Sequence, residues 1–147
     1  MGTYFPSRRE GIAKWYSVDA EGQRVGRVAT RVATLLRGKH REDFTPFQDQ
    51  GDHVIVINAA KVSLSGNKLE QKTYRHYTGY PGGLKEVGAR RLLRENPEKV
   101  LREAILGMLP KNKLGKALAR KLRICAGDKH RHQAQKPEVY PLPKAKG

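Results

Sequence analysis

The feature that most constrains the fold is an uninterrupted apolar run in the middle of the chain. Residues 53–58 read His-Val-Ile-Val-Ile-Asn, with four consecutive β-branched apolar residues. A strand with one face in water alternates apolar and polar side chains, so this run predicts a strand covered on both faces, as in a parallel sheet. Parallel strands need crossover connections, usually helices. The sequence therefore predicts an α/β fold.

A strand and a helix precede this run at the spacing of a βαβ unit. Trp15 to Asp19 is predicted as a short strand because its aromatic residues suit a half-buried pleat. Apolar residues then recur at helical spacing from Val25 to Leu36, and Gly38 is a natural C-cap. Strand, helix and strand within about 45 residues predict a right-handed crossover. Residues 62–65 alternate like a further strand.

The second half of the chain predicts shorter elements. Residues 72–77 run into a loop with three glycines at 79–83, and residues 90–95 predict a short helix. Asn96-Pro97 supplies an N-cap and a first helical residue for the next helix, which Gly107 and Pro110 end. Three leucines spaced by four predict an amphipathic helix after Pro110, with residues 122–126 continuing as a strand; the leucines are Leu114, Leu118 and Leu122.

Positive charge is abundant and uneven. The 147 residues include 30 Lys and Arg against 14 Asp and Glu, a formal net charge of +16. Nine cations and seven acids lie in residues 1–52, eight and three in 53–97, and thirteen and four in 98–147. Each phosphate paired with a cation releases counterions, so this excess favours a nucleic-acid partner. We predict an N-terminal arm (1–14), one domain (15–126) and a basic C-terminal tail (127–147).

Other chemistry finds little support in the sequence. No G-x-x-x-x-G-K-[ST] loop occurs, because Gly83 to Gly88 is followed by Ala89-Arg90. A metal site from Cys125, His130 and His132 lacks the paired C-x-x-C motif. We therefore predict no cofactor, no metal, no small-molecule substrate and no catalysis. One cysteine predicts no internal disulfide and fits a reducing cytoplasm, and no apolar run approaches the ~18 residues of a membrane span.

Two segments carry the pattern of an RNA-binding surface. Residues 72–80 interleave Lys, Arg and His with three tyrosines, which favours stacking on unpaired bases beside phosphate contacts; core packing of individual tyrosines is the alternative. Residues 107–123 hold six Lys or Arg and no acid. We call residues 107–123 the basic segment. Its leucines are expected to pack on the domain and its cations to face outward; a solvated helix and a membrane-surface helix are the alternatives.

Several of these motifs, in order, resemble those of bacterial large-subunit ribosomal protein L-thirteen. The matching stretches are Val25-Gly26-Arg27-Val28-Ala29, Leu36-Arg37-Gly38-Lys39-His40, residues 51–59, residues 65–69, residues 79–85 and residues 107–115. The resemblance covers residues 15 to 138. Phe47 departs from it, since a polar residue or His is expected there, as do Cys125 and the segment 129–132.

The resemblance implies a three-layer α/β/α core around a small, mainly parallel sheet, with basic extended termini. It also implies a cytoplasmic protein of the large ribosomal subunit that binds 23S ribosomal RNA beside neighbouring ribosomal proteins and supports early assembly. An RNA-modifying enzyme and a regulatory RNA-binding protein acting away from the ribosome are the alternatives. The predicted RNA-binding residues are Arg24, Arg27, Arg31, Arg37, Lys39, His40, Lys68, Lys72, Tyr74, Arg75, His76, Tyr77, Tyr80, Lys85, Lys111, Asn112, Lys113, Lys116, Arg120, Lys121, Arg123, His130, Arg131 and His132.

Overall fold

A computed structural model describes residues 2–7 and 12–143. The predicted arm and tail therefore lie partly outside the described residues. In chain order the elements are β1 (Trp15–Asp19), α1 (Val25–Arg37), β2 (His53–Ile57), a 3-10 turn (Ala59–Lys61), α2 (Lys68–Gln71), β3 (Thr73–Tyr77), β4 (Leu84–Gly88), α3 (Ala89–Glu95), α4 (Pro97–Met108), α5 (Lys113–Ala119), β5 (Leu122–Ile124), a second 3-10 turn (Gln133–Gln135) and β6 (Glu138–Val139).

Four strands form one parallel sheet in the order β5-β2-β1-β6. β1 pairs with β2 from Trp15 opposite His53 to Asp19 opposite Ile57. β5 adds to the other side of β2, and β6 adds to the free side of β1. β3 and β4 form a separate antiparallel hairpin. The predicted α/β fold around a small, mainly parallel sheet is confirmed, and the three-layer description agrees with it.

The lack of alternation in β2 follows from its central place in this sheet. Val54 and Val56 face the main hydrophobic core, which also contains the buried residues of α1 and α4. Ile55 points to the opposite face and is still fully buried. Because both faces of β2 exclude water at Val54, Ile55 and Val56, none of these three positions calls for a polar side chain.

The two longest helices begin and end where local chemistry dictates. α1 ends at Gly38, whose φ of 84° lies in the left-handed region and whose N–H bonds the carbonyls of Thr34 and Leu35. α4 begins after Asn96, whose side chain accepts a hydrogen bond from the N–H of Lys99, with Pro97 as the first helical residue. Both predicted caps are confirmed. α1 packs on α4, which joins the two helices into one layer.

Three predicted details differ in the structure. The strand predicted at residues 62–65 is wrong: Ser63 makes one isolated bridge to Arg24, because it follows a 3-10 turn and meets a loop rather than a strand. Leu122, counted in the leucine stripe of the predicted helix, lies beyond α5, which ends at Ala119; it opens β5, so the strand predicted from residue 122 is confirmed but ends at Ile124 rather than at residue 126. The segment after Gly127, predicted to be extended, also contains a 3-10 turn and β6.

Candidate nucleic-acid interface

The first group of predicted residues lies along the outer side of α1. Arg27 and Arg31 are exposed and, with Leu142 and Pro143, line a groove of about 250 Å³. Their one-turn spacing places two guanidinium groups side by side. Neither has an ion-pair or hydrogen-bond partner among the described side chains. Arg24, just before the helix, is half-buried.

At the end of α1, cations meet the end of α4. Arg37 and Lys39 line a small cavity with Met108, the last residue of α4, whose sulfur lies 3.6 Å from Thr30 Oγ1. The Arg37 guanidinium lies 5.9 Å from the centre of the Phe44 ring, a cation–π distance. The end of α1 is therefore next to the start of the basic segment.

His40 has a structural partner inside the protein. Its Nε2 lies 2.7 Å from Oδ2 of Asp52, a carboxylate that is almost fully buried. Asp52 also accepts a hydrogen bond from the backbone N–H of Lys14 and lies 3.7 Å from a guanidinium nitrogen of Arg41. A buried carboxylate needs such partners, so His40 serves the domain as well as any surface contact.

The second group lies on the β3–β4 hairpin. Tyr74 and its cross-strand partner Val87 pack against the core, and burial raises the pKa of the Tyr74 hydroxyl. The Lys72 ammonium lies 5.0 Å from the centre of the Tyr74 ring. Core packing, which was the alternative for each tyrosine, therefore applies to Tyr74.

The distal half of the hairpin faces solvent. Tyr77 is 60% exposed and Tyr80 75% exposed. Arg75 forms an ion pair of 2.7 Å with Glu86 across the strands, and His76 lies opposite the exposed Lys85. Lys68, in α2, donates a hydrogen bond from Nζ to Ser65 Oγ. β4 contacts α2 and α3, so the hairpin forms a patch supported by different helices from those that support the basic segment.

In the basic segment, close packing fixes α5 against the preceding turn. The side chain of Asn112 caps α5 by accepting a hydrogen bond from the N–H of Gly115 at 2.8 Å. A Cβ at Gly115 would lie 1.7 Å from the carbonyl oxygen of Pro110, so this approach requires glycine. Lys111 donates from Nζ to the last carbonyls of α4, at Leu106 and Gly107. Asn112 and Lys111 thus have structural contacts.

The cations that follow fall into two classes. Lys121 Nζ lies 2.6 Å from Asp49 Oδ1 and 2.9 Å from the carbonyl of Gly51, and its side chain is only 16% exposed. Its charge is used inside the protein. The other class is exposed and has no partner among the described side chains; it consists of Lys113, Lys116, Arg120 and Arg123.

The predicted tail residues meet the second face of the sheet. The His132 ring stacks on Trp15 at a centroid distance of 5.6 Å, and His53 stacks on Trp15 at 4.3 Å with an interplanar angle of 7°. Burial and the nearby Lys121 ammonium lower the pKa of His53. His130 is half-buried, and Arg131 is exposed. The aromatic stack ties the tail to the sheet.

Sequence reasoning missed a cluster of arginines on α3. Arg90, Arg91 and Arg94 line an open cleft of about 620 Å³ with Glu70 and Glu95. Arg90 pairs with Glu70, and Arg91 pairs with Glu95. Three arginines within five residues of a predicted helix indicate a cluster of positive charge and could have been recognised from the sequence. The pairing of Arg90 with Glu70 of α2 could not, because it depends on tertiary structure.

The described residues contain neither a metal centre nor a helix that could span a membrane. Within residues 2–7 and 12–143, no three His, Cys, Asp or Glu side chains converge to hold an ion. Burial raises the pKa of the Cys125 thiol, which disfavours the thiolate needed by a metal or a nucleophile. In the same residues no helix has both the length and the apolar character to cross a bilayer.

Comparison with known proteins places the chain in one family. The family described as "Ribosomal protein L13" matches residues 13–131. The chain is 52% identical over 142 residues to "Large ribosomal subunit protein uL13" of Syntrophomonas wolfei, covering 97% of this chain and 99% of that relative. The proteins of the same name from Clostridioides difficile (52% over 139 residues, 95% and 97%) and Thermoanaerobacter sp. strain X514 (51% over 138 residues, 94% and 96%) are similarly related.

The motifs along the sequence, the parallel sheet that they build and these full-length similarities agree with one another. The chain belongs to the Ribosomal protein L13 family.

Proposed function

We propose that this chain is a structural constituent of the large ribosomal subunit, where it binds 23S ribosomal RNA beside neighbouring ribosomal proteins and supports early assembly. The names of its relatives describe them as large-subunit ribosomal proteins. In this proposal the protein positions folded RNA by contacting its phosphates and matching its shape, and it catalyses no reaction.

The observation that carries the proposal is the division of cations in the basic segment. Lys121 pairs with Asp49 inside the domain, whereas four exposed cations, three on α5 or at its end and one on β5, lack a partner among the described side chains. A segment that pairs its inward charge and leaves its outward charges unpaired is suited to an external polyanion. The unpaired cations are Lys113, Lys116, Arg120 and Arg123.

Arg27 and Arg31 of α1, beside Leu142 and Pro143, provide a further contact, and the exposed tip of the hairpin provides another. Tyr77 and Tyr80 offer ring faces to unpaired bases there. Residues whose side chains already serve the fold, such as His40 and Asn112, contribute mainly by holding the surface in place.

The proposal is tested by measuring the affinity of the purified chain for protein-free large-subunit ribosomal RNA as a function of salt. If about six phosphates are engaged, log affinity falls against log salt with a slope of about −4 to −5. In cell extracts, the protein is expected to comigrate with large subunits on a sucrose gradient after a high-salt wash. Free sedimentation would favour a regulatory role away from the ribosome, and turnover of an RNA substrate would favour an enzyme.

A further inference from the structure

Two exposed phenylalanines meet beside the basic segment. Phe5, in the N-terminal arm, and Phe47, in the loop before β2, have ring centroids 6.1 Å apart and planes inclined by 53°. They remain 61% and 63% exposed. Tilted packing of this kind braces one ring with the other while leaving ring surface in contact with water. Phe47 is also the position where the family resemblance leads one to expect a polar residue or His.

A cleft of about 310 Å³ lies next to the Phe47 ring. Its other walls are Gln48 and Asp49 of the same loop and Leu114 and Ala117 of α5. The volume is at the lower end of that of small-molecule pockets, roughly 300–1,000 Å³, so it suits one planar ring system. The side-chain oxygen Oε1 of Gln48 already accepts from Gln50 Nε2 at 3.2 Å and from Thr45 Oγ1 at 3.5 Å, which leaves the side-chain nitrogen Nε2 of Gln48 to donate to a ligand.

The charges around this cleft favour an anionic ligand backbone. Asp49, the acid in its wall, is neutralised by Lys121 at 2.6 Å. Lys113 lies four residues before Ala117, and Arg120, the helical C-cap of α5, lies three residues after it, so both flank the apolar wall. Both are exposed and have no partner among the described side chains. The site therefore combines an aromatic face, an apolar wall and a cation on either side.

We propose that this cleft binds a single unpaired base of RNA, stacked on Phe47, with the flanking phosphates paired to Lys113 and Arg120. The inference rests on the proposed function, because it assumes that RNA covers the basic segment. Stacking platforms bordered by cations are the general means of holding unpaired nucleotides. An apolar side chain of a neighbouring protein would use the same cleft without needing an aromatic ring at residue 47 or the two cations.

The test compares variants of Phe47 in the full chain for binding to protein-free large-subunit ribosomal RNA. Phe47→Ala is expected to weaken binding by about 5- to 150-fold, the range for removal of one base stack. Phe47→Tyr is expected to retain binding because it keeps the ring, and Phe47→Leu to lose it because it keeps only the apolar character. Val139→Ala, which truncates an 81% exposed apolar residue on β6, is the matched control.

A second measurement maps the contact directly. Ribosomal RNA transcribed with 4-thiouridine and crosslinked to the protein is expected to give a nucleotide adduct within residues 45–49. Equal affinity of Phe47→Ala and wild type, or equal affinity of Phe47→Leu and Phe47→Tyr, would overturn the base site while leaving the proposed function intact. Failure of the wild-type chain to bind this RNA would overturn both.

Discussion

Single residues in this protein show how the same kind of side chain serves either the fold or the surface. Lys121 and Lys116 both lie in the basic segment, yet Lys121 pairs with Asp49 and is largely buried whereas Lys116 is exposed. The sequence gives no means of telling them apart, because the difference depends on a carboxylate 72 residues away. Local spacing predicts which face of a helix is polar, but long-range pairing decides which charge is free.

The stacked His53 makes stability depend on pH. Its folded-state pKa is lowered by burial and by Lys121, so the unfolded chain binds the proton more readily. Stability is therefore expected to fall as the pH drops below about 6.5, the value for an unperturbed histidine. His53→Phe keeps a ring on Trp15 and should flatten this loss, as measured by thermal unfolding between pH 7.5 and 5. His76→Gln, on the exposed hairpin, is the control and should follow wild type.

The two glycines of the basic segment predict opposite effects. Gly115→Ala forces a Cβ to within 1.7 Å of the Pro110 carbonyl oxygen and is expected to cost about 1–3 kcal/mol of unfolding free energy. Gly107→Ala, near the end of α4, has nothing within 4 Å of the added Cβ and should stabilise by roughly 0.5–1 kcal/mol. Denaturant titrations of the two variants measure both signs; a stabilised Gly115→Ala would contradict the close approach.

At the scale of elements, α5 is a short helix whose order depends on its N-terminal cap and on its packing. It has seven residues, shorter than helices that are stable alone, and its first turn is held by Asn112 and by the approach of Gly115 to Pro110. Its inner side is Leu118, which is buried in the core. The Asn112 cap and the core packing of Leu118 therefore together determine how the outward cations are oriented.

Removing the two asparagine caps separates stability from RNA binding. Asn112→Ala and Asn96→Ala each lose one side-chain cap and are both expected to lose about 1 kcal/mol of unfolding free energy. Asn112→Ala should also weaken RNA binding, because the cations of α5 are no longer held in one arrangement. Asn96→Ala, which caps α4, should bind as wild type. Equal RNA affinities in two variants of equal stability would contradict the role of α5.

Elements with strong periodicity or explicit caps were predictable, and short ones were not. The unbroken apolar run predicts β2, and the Asn-Pro pair predicts the start of α4. In both cases the residues that determine burial or capping are adjacent in the sequence. Residues 62–65 alternate like a strand but meet a loop. β6 has two residues and depends on β1 for its hydrogen bonds, so its own sequence carries no signal.

At the scale of the whole molecule, the least exposed carboxylates of the ion pairs are bound inside the domain, whereas several exposed glutamates pair with cations at the surface. Asp49 and Asp52 lie in the loop before β2. Asp49 contacts Lys121, and Asp52 contacts His40 and Arg41. The 30 Lys and Arg outnumber the 14 Asp and Glu by 16, so ion pairing within the chain leaves a large positive surplus. Composition predicts the sign of the partner's charge, whereas only the folded structure shows which particular charges pair with one another.

Charge removal should separate the two classes of lysine. Lys116→Gln removes an exposed, unpaired cation and is expected to reduce the magnitude of the salt slope for ribosomal RNA binding by about 0.7–0.9, with unfolding free energy unchanged. Lys121→Gln leaves Asp49 without its ammonium partner and is expected to lose roughly 1–3 kcal/mol of unfolding free energy with little change in slope. Salt titrations and denaturant unfolding of both variants provide the comparison. The reverse assignment of the two effects would contradict the division proposed for the basic segment.

The candidate site was predictable as a set of segments but not as a surface. Lys113, Lys116 and Arg120 follow from the charge run, whereas the position of Phe47 beside them depends on how the loop before β2 folds over α5. Tyr74 was predicted for RNA and packs against the core, because strand alternation alone does not say which face is covered.

The two residues of β6 have a consequence for the chain before it reaches any partner. They pair with Tyr16 and Ser17, and the N–H of Tyr140 bonds the carbonyl of Ser17. Before residues 138–140 have docked, the edge of β1 has unpaired backbone N–H and C=O groups. Another copy of the chain can form strand hydrogen bonds with them. Truncation before Lys136 is thus expected to yield a protein that self-associates, because residues 138–140 cover the edge of β1 against pairing with another copy.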